Sequence, residues 1–168
     1  DGGSRGNPGP AAVAAVAAAT EKTPIVAGKP EVAIFEEAFA RFGSRAALML
    51  GDRLDTDILG ANRAGIPSVL VLTGIDKAKQ VLAAAPDERP TYVLADLRGM
   101  HEPYPPTLTE ESPGRVDTIV GDARVRRTGH VLTIEAGSGI NLLRAGSAAI
   151  WNSGLAIYAL DVPAELYS

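Results

Sequence analysis

The chain contains no cysteine in 168 residues. Disulfides and thiolate metal sites are therefore excluded, and a reducing cytoplasmic setting is the natural expectation. An excess of basic charge is also missing. The 16 Lys and Arg residues against 20 Asp and Glu give a net charge of −4, so neither a nucleic-acid footprint nor a polybasic membrane patch is present, and no nucleic-acid or membrane partner is expected. Aromatics are scarce at 5% of residues. Long apolar runs are absent: the longest, Ala11–Ala19, is alanine-rich and too short to span a bilayer. It also lacks the basic flank and the position of a signal peptide. The first residue is Asp1 rather than Met, and the chain is read as a piece of a longer protein. Its length suits one domain with a small appendage, long enough to bury a core.

What is present is an alternation of helix and strand signals. Residues 1–10, DGGSRGNPGP, read as loop, and Ala11–Thr20 as a short helix. Pro24–Ala27 reads as a short buried strand, followed by a turn at Gly28-Lys29-Pro30, with Pro30 suited to a first helical turn. Val32, Phe35, Phe39 and Phe42 recur at helical spacing, and Gly43 ends that helix. Ala46–Leu50 is a continuous apolar run of the kind found in a parallel sheet covered on both faces. A helix over Thr56–Ala64, a strand over Pro67–Leu72, a helix over Ile75–Ala84 and a strand over Thr91–Leu94 complete the alternation. The expectation is an α/β fold with a partial doubly wound parallel sheet over residues 1–101. Prolines in 102–118 suggest a linker. Residues 119–168 read as a small αβ appendage: a hairpin at Ala123–Ala136, a helix at Leu142–Trp151 and a final strand at Leu155–Val162.

The chemistry concentrates in Gly51-Asp52-Arg53-Leu54-Asp55-Thr56-Asp57, just past a strand end. Ligands of open α/β sheets bind in that crevice. Carboxylates crowded together repel, and a divalent cation relieves the repulsion. Oxygen-only ligands suit Mg²⁺, which binds through few carboxylates and otherwise through waters and phosphate oxygens. Lys29 follows the preceding strand, where its ammonium could neutralise a phosphoryl group. The bland alternative for the same residues is a set of solvated caps and turns.

GKP, then ALML, then GDRLDTDILGANRAGIPSVLVLTG closely resemble the haloacid dehalogenase (HAD) phosphatases that carry a large inserted cap. This subgroup includes 4-nitrophenyl, phosphoglycolate and glycerol-phosphate phosphatases. The likeness runs over about residues 11–101 and is strongest from Gly28 to Gly74. It implies the C-terminal half of a HAD-type core. It further implies that Lys29 holds the nucleophile and the phosphoryl group, that Asp52 is a Mg²⁺ ligand, and that Asp57 is its partner carboxylate. Arg53, Asp55 and Thr56 would support them, and Thr73-Gly74 matches a loop of the family. The implied activity is Mg²⁺-dependent hydrolysis of small phosphate esters through an aspartyl-phosphate, with a small phosphorylated metabolite as partner and homo-oligomerisation left open.

The family nucleophile, the first Asp of DxDG(T/V), does not occur in these residues. Asp55-Thr56-Asp57 has the spacing but belongs to the later motif. The expectation is that the nucleophile, the second-motif Ser/Thr and the cap belong to a parent protein ahead of residue 1, and that this chain alone is inactive. An inactive remnant or binding module stays open as an alternative. DGGSRGNPGP also equals the opening of many type I ribonucleases H, where its aspartate, here Asp1, binds metal. That family continues as a strand, whereas AAVAAVAAAT follows here, and no suitably spaced acidic partners follow. Gly6 and Gly9 are too few for a phosphate loop. The resembled family also includes members with a hairpin-plus-helix extension likened to an acetyltransferase remnant, but 119–168 shows no Gly-rich acetyl-CoA loop. His101 and His130 read as solvated loop residues, Arg124, Arg126 and Arg127 as a solvated face, and Trp151 as a core or docking contact on the stripe with Leu143 and Ala148.

Overall fold

The computed structural model describes residues 10–23 and 27–167. Pro24, Ile25 and Val26 of the expected first strand lie outside the described residues, as does DGGSRGNPG with Asp1, Gly6 and Gly9. Helix α1, Pro10–Thr20, forms where alanine propensity places it. Helix α2, Ala33–Phe42, buries Phe35 and Phe39. Gly43 closes it at φ 64°, its N–H donating to the Phe39 carbonyl, a left-handed cap that costs glycine nothing. Two expectations shift here. Pro30 sits in a turn ahead of α2 rather than in its first turn, and Phe42, at the helix end, is 79% exposed.

Three parallel strands follow: β1 Met49–Gly51, β2 Ser68–Val71 and β3 Tyr92–Leu94, paired in that order. Leu50 lies opposite Val69, and Leu70 opposite Val93. Strand β2 is buried along its whole length. Leu70 belongs to one apolar cluster, and Val69 and Val71 to another with Leu94. This is the alternation of a strand covered on both faces. Between β1 and β2 the chain makes a wide π-helical turn, Leu54–Ile58, that runs directly into helix α3, Leu59–Ala64. The expected helix start at Thr56 is therefore two residues late. Helix α4 covers only Ala78–Leu82; ahead of it the Asp76 N–H donates to the Asp52 carbonyl.

The stretch expected as a linker is largely sheet. Strands β4 Thr107–Ser112, β5 Arg115–Val120, β6 Ala123–Thr128 and β7 Val131–Ala136 form an antiparallel meander. Pro113-Gly114, read as linker, is the two-residue turn between β4 and β5: Ser112 pairs with Arg115, and Gly114 takes φ 79°. All six residues of β4 are exposed, so it carries no apolar alternation from which a strand could be read. The expected hairpin Ala123–Ala136 is β6 with β7. Helix α5, Gly139–Asn152, starts three residues before its expected position. The expected strand Leu155–Val162 does not form. Ile157–Ala159 is a short 3₁₀ turn, and only Asp161 bridges to Val131 at the start of β7. Ile157, Leu160 and Val162 pack on the core. A short apolar run fits that role as well as a strand.

The two sheets share one core. Leu54, Ile58, Leu70, Val81, Leu82 and Val93 from the first part join Val120, Val125, Leu142, Ile150 and Leu166 from the second in a single cluster. Polar ties cross the same seam: Arg144 Nε donates to the Val93 carbonyl at 2.9 Å. The meander and α5 lean on the parallel sheet as a short chain segment must, since alone it has little area to bury. Among the described residues no helix is long and apolar enough to cross a membrane.

Candidate functional site

The site forms where β1 ends. Asp57, in the π-helical turn, folds back so that its Oδ2 accepts from the backbone N–H of Asp52 at 3.1 Å and of Arg53 at 3.2 Å. Its Oδ1 accepts from the Lys29 ammonium at 2.6 Å. The Asp57 side chain is 5% exposed and that of Lys29 44%. A buried carboxylate thus has both oxygens matched to donors, as burial of charge demands, while the lysine head stays open to solvent. Ammonium carries three donors, so Lys29 keeps capacity beyond Asp57.

Asp52 is held from the other side. Its Oδ2 accepts from the Ile75 N–H at 3.0 Å, and its carbonyl accepts from the Asp76 N–H at 3.0 Å. Two glycines make the crowding possible. A Cβ on Gly51 would lie 2.2 Å from Asp57 Cβ, and one on Gly74 would lie 1.9 Å from Asp52 Oδ2. No real Cβ tolerates either distance, so both glycines are required by close approach. Gly74 belongs to the Thr73-Gly74 loop matched in sequence, and this approach gives that loop a physical duty.

Lys29, Asp52 and Asp57 are brought together as expected, with one refinement: the recorded partner of Lys29 is Asp57, and Asp52 is reached through the Asp57 carboxylate. Arg53 and Asp55 turn toward each other at the surface, with the Arg53 guanidinium donating to both Asp55 oxygens at 3.0 and 2.7 Å. That bond holds the Asp55 carboxyl below its ordinary range, and the Thr56 hydroxyl adds to it. These three residues bond chiefly to one another, while the Arg53 N–H donates to Asp57 Oδ2 at 3.2 Å and its guanidinium also feels the Asp52 charge. The residue that sequence reasoning passed over is Asp76, whose Oδ2 accepts from the Leu54 N–H at 2.6 Å. The signal available for it was an acidic residue between the Thr73-Gly74 loop and a helix start.

The remaining expectations divide. His101 and His130 are exposed. Arg124 and Arg126 are not merely solvated: both donate to buried Asp117, Arg126 through Nε at 2.7 Å and Nη2 at 2.9 Å. Trp151 packs against the shared core with the Arg89 guanidinium 5.5 Å over its ring.

Whether Mg²⁺ suits the site can be judged from its donors. Asp52 and Asp57 offer oxygen only, and Asp52 Oδ1 has no recorded hydrogen bond. Among the described residues no three His, Cys, Asp or Glu side chains group as a metal cage. Asp57 has its oxygens engaged by Lys29 and by the Asp52 and Arg53 amides, so Asp52 is the carboxylate left to a cation. A single carboxylate fits Mg²⁺, which takes its remaining ligands from water and phosphate oxygens and rarely uses an all-protein cage.

The chain is similar to known phosphatases over most of its length. Residues 26–100 match the HAD-hydrolase-like family. The D-glycerol 3-phosphate phosphatase of Mycobacterium tuberculosis is 44% identical over 143 residues, which is 84% of this chain and 40% of that protein. Phosphoglycolate phosphatase 2 of Arabidopsis thaliana is 40% identical over 87 residues, 51% of this chain and 29% of that protein. The crystal structure of the M. tuberculosis glycerol phosphate phosphatase in complex with magnesium superposes with a TM-score of 0.60 at 39% identity, over 84% of this chain and 42% of that one. The chain thus spans about two fifths of the M. tuberculosis enzyme and less of the plant one. Over that part, with an α/β architecture, it resembles the HAD-superfamily phosphatases of the large-cap type.

Proposed function

We propose that this chain supplies one half of the active site of a Mg²⁺-dependent phosphomonoesterase acting on small phosphate esters such as glycerol phosphate or phosphoglycolate. The observation that carries the reading is the Lys29–Asp57 ion pair of 2.6 Å, locked to the backbone of Asp52 at the end of a parallel strand. Asp52 would hold Mg²⁺, with Asp57 as its partner carboxylate acting through water while it keeps Lys29 and the Asp52 backbone in place. When bound, the ion supplies positive charge against the phosphate oxygens. Lys29 adds a second positive charge that needs no reorganisation, because Asp57 already fixes its position. Attack on phosphorus would come from an aspartate of a DxDG(T/V) segment, giving an aspartyl-phosphate that water then hydrolyses. The 168 residues contain no such segment.

The edge of the parallel sheet supports this division. Among the described residues β1 pairs only with β2, and Leu48 and Leu50 at that edge are 38% and 40% exposed. Parallel strands are normally covered on both faces and continued by neighbours. A further parallel strand beside β1 would cover them and bring its own C-terminal residues next to Asp52. In this reading that strand carries the nucleophile.

The test is a hybrid in which this chain replaces the part of the M. tuberculosis phosphatase it aligns with. Hydrolysis of glycerol 3-phosphate is measured with and without Mg²⁺. Lys29→Met in the hybrid should lower kcat about a hundredfold, on the scale of losing one preorganised charge in a phosphoryl-transfer site. A hybrid whose kcat is indifferent to Lys29 contradicts the assignment.

A further inference from the structure

We infer that Asp76 is a positioning residue for the metal-binding loop: its carboxylate holds the Leu54 amide and so fixes where Asp52 stands. The inference rests on the reading of Asp52 as the chain's principal Mg²⁺ ligand. Three hydrogen bonds join the segment 75–76 to the segment 52–54. The Leu54 N–H donates to Asp76 Oδ2 at 2.6 Å. The Asp76 N–H donates to the Asp52 carbonyl at 3.0 Å. The Ile75 N–H donates to Asp52 Oδ2 at 3.0 Å. The first and second close a reciprocal clasp, side chain to backbone in one direction and backbone to backbone in the other.

The clasp solves a local problem. The loop leaves β1 after Gly51 and enters the π-helical turn at Leu54. The first amides of a helical turn have no partner within it. Asp57 takes the amides of Asp52 and Arg53 just ahead of the turn. The Leu54 amide opens the turn, on a residue whose side chain is buried, and Asp76 supplies its acceptor from outside. Asp57 holds the Asp52 and Arg53 amides and Asp76 the Leu54 amide, so the backbone on which Asp52 stands is tied at three consecutive residues. Outer partners of metal ligands commonly set affinity in this way, and losing one costs about 10- to 100-fold in metal binding.

Asp76 acts through geometry and not as a third ligand. Its Oδ2 is committed to Leu54, and it does not join Asp52 and Asp57 in a metal-binding group. Asparagine at this position keeps an acceptor oxygen for the Leu54 amide and loses only the charge, whereas alanine loses both.

The experiment titrates Mn²⁺ into the 168-residue chain and follows water proton relaxation, with amide hydrogen exchange of Leu54 recorded alongside. Asp76→Ala should weaken Mn²⁺ binding about tenfold and expose the Leu54 amide to exchange, leaving β2 amides protected. Asp76→Asn should bind Mn²⁺ within about twofold of the wild type, because the positioning bond survives. Asp52→Asn serves as the reference for the site itself and should weaken Mn²⁺ binding at least as much as Asp76→Ala. If Asp52→Asn binds weakly while Asp76→Ala binds as the wild type does, the positioning role is refuted and the site stands. If Asp76→Asn is as weak as Asp76→Ala, Asp76 works through charge, and positioning is refuted. If Asp52→Asn binds as the wild type does, the metal assignment itself falls, and the role of Asp76 with it.

Discussion

At the scale of single residues the site is a matter of which atoms are allowed to touch. Asp52 and Asp57 approach the backbone so closely that Gly51 and Gly74 cannot carry a Cβ. Gly74→Ala would set a methyl 1.9 Å from Asp52 Oδ2, and the carboxylate or the Thr73-Gly74 loop must move. In the hybrid enzyme this substitution should lower Mg²⁺-dependent kcat about a hundredfold, the cost of an ångström's misplacement near the chemistry. Thermal stability should fall as well, because the methyl would also lie 2.2 Å from Asp52 Cβ, an atom that cannot swing away. A variant with unchanged kcat would show that the Asp52 orientation is immaterial. Much of this scale was legible in the sequence. GKP and GDRLDTD name Lys29, Asp52 and Asp57, and the fold brings all three together. Asp76 was not legible, because its role depends on a contact across 22 residues to the Leu54 amide, and no local pattern announces such a contact.

At the scale of elements, legibility followed burial. Strand β2, buried throughout, was read nearly to its ends. Strand β4, exposed throughout, was read as linker, since TLTEES has no apolar face and the flanking Pro103, Pro105, Pro106 and Pro113-Gly114 mimic a tether. The run from Leu155 to Val162 failed in the opposite sense: apolar residues that plug a core look like a strand until the backbone pairing is known. The meander also holds a partly buried charge cluster of Asp117, Arg124 and Arg126 with Glu110 and Glu135. Asp117 is buried between Arg126 and Arg124, and the Arg126 bonds bring its carboxyl from 3.8 down to about 2 against the opposing effect of burial. A carboxyl depressed on folding stabilises the folded state fully above its unfolded value and loses that contribution as pH falls through the folded one. The contribution should therefore be complete above about pH 5 and disappear between about pH 4 and 2. Asp117→Asn should flatten the acid limb of stability against pH in that window, as read by urea unfolding. An acid limb identical to the wild type would contradict the pairing. Helix α5 tests the seam: Ile150, 2% exposed in the shared core, when cut to alanine should cost about 2–5 kcal/mol of unfolding free energy. The loss should appear in probes of β2 as well as of β6, in one transition. Separate transitions for the two sheets would mean that the core is not shared in the energetic sense.

At the scale of the whole molecule, the chain is an integral fold around an incomplete site. Its two sheets bury one core, while among the described residues β1 has a neighbour on one side only and the Lys29 head is 44% exposed. Composition could exclude a basic nucleic-acid surface, but it could not reveal that the C-terminal segment braces the parallel sheet, because that packing is a property of non-local contacts. The account requires that the 168 residues alone show no Mg²⁺-stimulated hydrolysis of 4-nitrophenyl phosphate, since positioning and charge cannot replace the attacking aspartate. Robust turnover by the chain, lost in Asp52→Asn, would mean that a nucleophile lies within these residues. The most direct test of the central claim is kcat for glycerol 3-phosphate in the hybrid enzyme, compared between the wild-type segment and Asp52→Asn at saturating Mg²⁺. The account predicts Mg²⁺-dependent turnover with the wild-type segment and a loss of at least about a hundredfold with Asp52→Asn. Equal turnover in the two would contradict it.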